Sequence, residues 1–191
     1  MDLLTQRRAM MAMTGPSIKP IQLVRNGNFT EGADGLDYWG TVYPATPSVT
    51  DGELRLEKST SGTRGAMVAS TSAAGAVSKT HVYYLKAELK AGTINANAGF
   101  FTSSYSIGGN TYLATSETVW VKKDVILSPV NNTDLVCCRA GVQSSSAHTY
   151  AFMRNICLID LTATFGAGNE PDIDTCRRLF PKDYYEYYTG E

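Results

Sequence analysis

Residues 81–90 read HVYYLKAELK. Tyr83, Leu85, Ala87 and Leu89 fall on one side of an extended chain, and Lys86, Glu88 and Lys90 fall on the other. Successive side chains of a strand point to opposite faces, so this period of two describes a strand with one face in a core and one toward water. Working outward, residues 52–58, GELRLEK, repeat the pattern, with Leu54 and Leu56 pointing in and Arg55 and Glu57 out. In 135–142, Val136, Cys138, Ala140 and Val142 share one face. Further β-prone runs stand near 21–25, 41–49, 64–70, 96–102, 117–127 and 150–162, separated by Gly, Ser, Asn and Pro clusters. About eight or nine strands follow, the number expected of an all-β jelly-roll sandwich. No long helical pattern interrupts them, which argues against a parallel α/β sheet.

The run 150–162 is apolar on both parities. Ala151, Met153, Cys157, Ile159 and Leu161 take one, and Phe152, Ile156 and Leu158 the other. This predicts a central strand covered on both sides, by its own sandwich, by the N-terminal helix or by a neighbouring subunit.

The two ends read differently. Residues 2–13 suit a short amphipathic helix, with Asp2 at its start and Gly15-Pro16 as its stop. A helix of that length is marginal alone and needs a surface. After Phe165, Asn169 is the expected cap of a second helix over 171–180, with Pro171, Asp172 and Asp174 in its first turn and Arg177 and Arg178 near its end. The tail, Tyr184-Tyr185-Glu186-Tyr187-Tyr188, also needs a surface to cover. The expected division is 1–20 helix and linker, 21–165 jelly-roll sandwich, and 166–191 helix and aromatic tail. Both ends suggest a homo-oligomer or docking on another protein.

Composition excludes several classes. The chain has 191 residues, 43% of them hydrophobic, with a net charge of −1. A nucleic-acid binder needs a clustered positive excess, and a membrane span needs about 20 apolar residues in a row; neither is present. Arg7 and Arg8 sit in the middle of the opening segment instead of ahead of an apolar run, so no export signal is read and synthesis in a cytoplasm is expected. Cys137, Cys138, Cys157 and Cys176 contain no CxxC pair and read as free, mostly buried thiols. Of the two histidines, His81 opens a strand and His148 lies in a Ser-rich loop. No GxSxG elbow exists, Gly166-Ala167-Gly168 reads as a turn, and the carboxylates Glu31, Asp34, Asp37, Asp51 and Glu53 read as solvated loop charges. A non-catalytic protein is expected.

Two segments carry a resemblance. Leu23-Val24-Arg25-Asn26-Gly27-Asn28-Phe29, followed by Gly35 and Tyr38-Trp39, resembles the opening of a superfamily of jelly-roll carbohydrate-binding modules. There the Asn-Gly pair turns the chain, the Phe plugs one end of the core and the Trp covers it. Leu158-Ile159-Asp160-Leu161-Thr162-Ala163-Thr164-Phe165-Gly166-Ala167-Gly168-Asn169-Glu170-Pro171 resembles a segment of phage tail and minor structural proteins, in which a short helix and an aromatic-Gly step follow. Those likenesses imply a virion protein made in the host cytoplasm, with other virion proteins, itself or a host cell-surface glycan as partners. Many such modules hold a structural Ca²⁺ with acidic side chains near the first and in the last strand. Here those places carry Asn28, with Glu31 nearby, and Arg154-Asn155, so no cofactor is expected.

Sugars stack on aromatic rings beside polar groups. Tyr38, Tyr43, Tyr105, Tyr112 and Trp120 are the candidates, whereas Trp39 and Tyr83 read as core. Tyr105 and Tyr112 flank Gly108-Gly109 in the stretch SSYSIGGNTY, with Ser106 and Asn110 as hydrogen-bonding neighbours. The ligand-binding set expected is Tyr105, Asn110, Tyr112 and Trp120. The competing reading is a purely structural virion component whose jelly roll serves subunit packing.

Overall fold

A computed structural model describes residues 18–43, 46–59, 66–70, 77–78, 80–92, 97–100, 113–127, 139–143 and 146–190. The predicted helix 2–13, Cys137 and Cys138 lie outside them. Ten strands are present among the described residues: β1 (Trp39–Tyr43), β2 (Thr46–Thr50), β3 (Glu53–Lys58), β4 (Ala66–Ser70), β5 (Tyr83–Ala91), β6 (Asn97–Phe100), β7 (Leu113–Thr115), β8 (Val121–Leu127), β9 (Arg139–Gln143) and β10 (Thr149–Asp160). Two short helices follow, α1 (Leu161–Phe165) and α2 (Ile173–Leu179). The strands form two five-stranded sheets, β1-β4-β9-β6-β7 and β2-β3-β10-β5-β8. Every pairing is antiparallel. This is the all-β jelly-roll sandwich expected. Among the described residues no helix is long and apolar enough to cross a membrane.

The alternation in β3 and β5 does what its period dictates. Leu54, Leu56, Tyr83, Leu85, Ala87 and Leu89 are buried between the sheets with Phe29, Trp39, Leu113, Leu127, Met153, Ile156 and Leu158. Each such large apolar side chain contributes roughly 1.5–3 kcal/mol on burial. The single run expected at 41–49 is two strands, β1 and β2, in opposite sheets. The stretch 21–25 is not a full strand. It runs beside β10 through one bridge, Gln22 to Ile159, and through backbone bonds from Leu23 N to Leu158 O (2.9 Å), Asp160 N to Ile21 O (2.8 Å) and Ile156 N to Gly27 O (2.9 Å). The first stretch and the last strand are therefore neighbours: the Asn26–Phe29 turn sits against Ile156, with Asp160 at the other end of the pairing.

Asn26 organises that turn. Its φ is +53°, a region that Asn enters more readily than most residues. Its side chain accepts from Glu31 N (2.9 Å) and donates to the carbonyls of Glu31, Gly35 and Asp37 at 3.0–3.1 Å. Trp39 Nε1 donates to Asn26 O (3.0 Å), and its ring lies 5.2 Å from that of Phe29. The buried Trp39 is thus a core lid, as the turn motif implies.

β10 departs from simple alternation. Its pairing with β5 shifts register between Arg154 and Cys157, and Asn155 has φ +54°. One extra residue makes a β-bulge and reverses parity beyond it. Ala151, Met153, Ile156 and Leu158 consequently face the core between the sheets, while Cys157 and Ile159 join a second cluster with Tyr84, Leu161, Cys176 and Phe180. The faces assigned from sequence hold before the bulge and exchange after it.

The strand expected to continue to 162 stops at Asp160, whose side chain caps α1 by accepting from Ala163 N (2.8 Å). The cap of α2 is Asp172, accepting from Thr175 N (2.8 Å), and not Asn169. An Asn169 cap would place Glu170 in the helix directly before Pro171, where the proline ring disfavours helical backbone. The aromatic tail covers its own sandwich. Tyr185 packs edge-on to Phe180 at 5.7 Å, Tyr188 N bonds Gln22 O (3.0 Å), and the half-buried Tyr184 lies against Gly27. The need for a surface that suggested an outside partner for the tail is met within the chain. Cys157 and Cys176 are buried free thiols.

Candidate functional site

The C-terminal segment covers only part of the outer face of the β2-β3-β10-β5-β8 sheet. Register places the uncovered part in rows across the strands. In one row Ser48, Arg55, Phe152 and Lys90 are successive partners. Trp120 joins it by directly preceding β8, whose Val121 pairs with Leu89. The Lys90 ammonium stands 4.4 Å from the Phe152 ring centre and 4.7 Å from that of Trp120. The Arg154 guanidinium lies 4.3 Å over Trp120, and that of Arg55 lies 4.3 Å over Tyr150 in the adjoining row. All three rings are half-buried, with part of each open to solvent. Such contacts hold rings and cations in one orientation, each contributing roughly 0.5–1 kcal/mol at exposed sites.

Gly92 forms the floor beside the rings. A Cβ there would sit 2.7 Å from Tyr150 Cβ and 2.8 Å from Phe152 Cε2. Only a residue without a side chain lets both rings settle on the sheet.

The next row is ionic. Arg154 donates to Glu53 (2.8 Å) and to Glu88 (2.9 and 3.1 Å), and Asn155 Nδ2 donates to the other Glu88 oxygen (2.9 Å). Lys122, the register partner of Glu88, reaches Asp183 at 2.6 Å. Beyond this row the C-terminal segment forms a wall. Arg177 is bidentate on Asp124 at 2.8 and 2.9 Å, and the same carboxylate accepts from Tyr84 Oη (2.9 Å). Arg177 and Tyr84 hold the Asp124 carboxyl below the ordinary range, against the opposing effect of burial. Lys86 Nζ donates to the carbonyls of Phe180 (3.0 Å) and Lys182 and lies 4.8 Å from the Tyr185 ring centre. Burial lowers the pKa of its amine. Wall and sheet enclose a cleft of about 330 Å³.

Of the sequence-predicted ligand residues, Trp120 is on this face. Tyr105, Asn110 and Tyr112 lie outside the described residues, as does the side chain of Tyr43. Tyr38 is exposed in a different place, under the Arg25 guanidinium at 4.0 Å. Sequence reasoning missed Tyr150, Phe152, Arg55 and Lys90. The available signal was Tyr150, Phe152 and Arg154 at every second position, on the parity opposite to Ala151 and Met153.

The positions where a structural calcium would be held do not suit one. Asn28 Oδ1 accepts from Thr30 (3.2 Å), and Glu31 pairs with Arg25 (3.1 Å). Arg154 carries positive charge into the last strand, and the Asn26 amide already engages the loop carbonyls. Among the described residues no group of three or more His, Cys, Asp or Glu gathers. His81 Nδ1 meets Asp160 Oδ2 at 2.8 Å, which ties the entry of β5 to the end of β10.

No protein-family model matches the chain, and no curated protein does. Solved structures do. The CBM22-1 xylan-binding domain of Paenibacillus barcinonensis Xyn10C is similar at 15% identity and TM-score 0.52, over 76% of this chain and 97% of that domain. An arabinose-bound α-L-arabinofuranosidase, MgGH51, is similar at 15% identity and TM-score 0.57, over 87% of this chain. The match spans only 30% of that enzyme's length. At such identity the likeness is one of fold: this chain is a β-sandwich of the kind found in carbohydrate-binding modules.

Proposed function

We propose that the chain is a non-catalytic glycan-binding module of a virion, at the tail or particle surface, and that it holds host-surface glycan across the row Arg55, Phe152, Lys90 and Trp120. The observation that carries the binding reading is three partly open rings held by three cations on one sheet face. Sugar rings present C–H faces to aromatics and hydroxyls to charged and amide groups, and this row offers both. The xylan-binding function of the CBM22-1 domain supports the same reading. The virion setting is supported by the likeness of residues 158–171 to phage tail and minor structural proteins.

One or two stacked rings give weak affinity once ordering costs are met. A particle compensates with many copies, since linked sites gain about 10²–10⁴ in avidity. The test is a glycan array and host-cell binding with a multivalent display of wild type, of Trp120→Ala/Phe152→Ala, and of Tyr105→Ala/Tyr112→Ala. Loss in the first double variant supports the described face, and loss only in the second moves the site to the segment holding Tyr105 and Tyr112. No binding by wild type favours the purely structural role. Immunogold labelling of intact particles tests the virion setting.

A further inference from the structure

The cleft between the ring-bearing face and the C-terminal wall has a chemistry of its own. We propose that it is a subsite for a neutral, hydroxyl-rich branch of the glycan, a single sugar unit projecting sideways from the chain on the rings. This rests on the glycan-binding reading above.

The observations are size, place and charge. At about 330 Å³ the cleft lies at the lower end of small-molecule pockets, which run from roughly 300 to 1,000 Å³. Its floor includes Glu88 and Asn155, and one side is formed by Lys122 and Asp124. Glu88 is two residues along β5 from Lys90, about 7 Å at the strand rise. A substituent on a glycan lying over Lys90 reaches the cleft across that distance. The opposite wall presents the exposed Pro181, apolar surface for the C–H face of a sugar, with the buried Phe180 behind it.

The charged side chains on the outer face of the cleft already have partners; Lys123, also in the lining, is in register with the core-facing Ala87 and takes the parity opposite to Lys122 and Asp124. Lys122 pairs with Asp183, Arg177 with Asp124 and Asp174, and Glu88 with Arg154 and Asn155. Lys86 is engaged by two backbone carbonyls. A phosphate or carboxylate entering here meets the carboxylates of Glu88, Asp124 and Asp183 beside the cations and must displace an existing pair to reach Lys122 or Arg177. Hydroxyls can donate to the carboxylates and accept from the cations without breaking them.

The test compares linear xylo- and manno-oligosaccharides with the same backbones bearing single arabinose or galactose branches. Each is titrated calorimetrically into wild type, Asn155→Gly and Asp183→Asn at low and high salt. Glycine accepts the positive φ at 155, and the Asp183 ion pair is exposed, so both variants keep the fold; urea unfolding checks this. Wild type should bind a branched ligand about tenfold more tightly, with little salt dependence, and the variants should bring the two within about threefold while keeping linear binding. Equal affinity of wild type for both forms overturns the subsite, as does a preference that survives in both variants. Steeply salt-dependent preference for acidic branches overturns its neutrality. If no oligosaccharide or array glycan binds wild type, the glycan-binding reading itself fails.

Discussion

Asn26→Asp changes one group in a place where the arithmetic is legible. Asn26 is fully buried, and its amide nitrogen faces three backbone carbonyls at 3.0–3.1 Å. The replacement keeps size and tolerates positive φ, and it keeps an oxygen to accept from Glu31 N. It removes the N–H donors, which at about 1 kcal/mol per net bond costs roughly 2–3 kcal/mol. It also aims an oxygen at three carbonyl oxygens, and that oxygen is charged at neutral pH. Burial and carbonyl dipoles then raise the introduced carboxyl's pKa above its unfolded value of about 3.9. The folded state binds a proton where the unfolded state has released it. Stability therefore falls as pH rises from the unfolded value through the raised folded value, and levels off above it. The total penalty expected at pH 7 is about 3–5 kcal/mol. Asn26→Gly is the control, since it keeps φ, loses the donors and adds no titrating group. Urea unfolding of the three proteins, read by tryptophan fluorescence, should show Asn26→Asp less stable than Asn26→Gly at about pH 7, with the gap closing near pH 4. An aspartate variant as stable as wild type at neutral pH, or a gap unchanged at pH 4, refutes this account of the turn.

Trp39→Ala should cost about 3–5 kcal/mol in urea unfolding, because it empties a core position and leaves Asn26 O without its indole donor. Gly92→Val should push Tyr150 and Phe152 off the sheet, reducing glycan binding at a stability cost of about 1–3 kcal/mol; unchanged binding would remove those rings from the site. Asp124 contributes stability that is present above its ordinary pKa of 3.8 and is lost as pH falls through its lowered folded value. Arg177→Gln should therefore reduce the fall in stability between about pH 5 and about pH 2, and only modestly, because the pair is partly exposed to solvent. Burial pushes the Cys157 and Cys176 thiols up to about 12, so peptide mapping after brief alkylation of native protein near pH 8 should find both unmodified.

The sandwich was legible because β3 and β5 each present one face to the core, and period two survives any choice of partner strand. The turn at Asn26 was legible through its Asn-Gly pair and the later Trp39. What alternation could not supply was pairing. The Phe152 ring reads as core in 150–162 until β3 and β5 are known to place Arg55 and Lys90 beside it. The fate of the tail was hidden for the same reason. Tyr185 and Tyr188 find Phe180, Lys86 and Gln22, which are distant in sequence. Trp120 was reached only as one aromatic among several stacking candidates, and its neighbours Lys90, Phe152 and Arg154 come from the strand pairing.

The bulge at Asn155 joins these two gaps. Without it, β10 would keep one parity, Ile156 and Leu158 would face outward, and Cys157 and Ile159 would enter the core. With it, the strand still sends Ala151, Met153, Ile156 and Leu158 inward, but its outer side divides in two. Before the bulge that side carries Tyr150, Phe152 and Arg154, suited to a wet ligand. After it come Cys157 and Ile159, which need cover and receive it from α2, Phe180 and the tail. The same added residue puts the Asn155 amide on Glu88, at the boundary between the two halves. Ring-bearing face, cleft and wall therefore follow from one residue in the left-handed region, and Asn is among the few side chains that enter it readily.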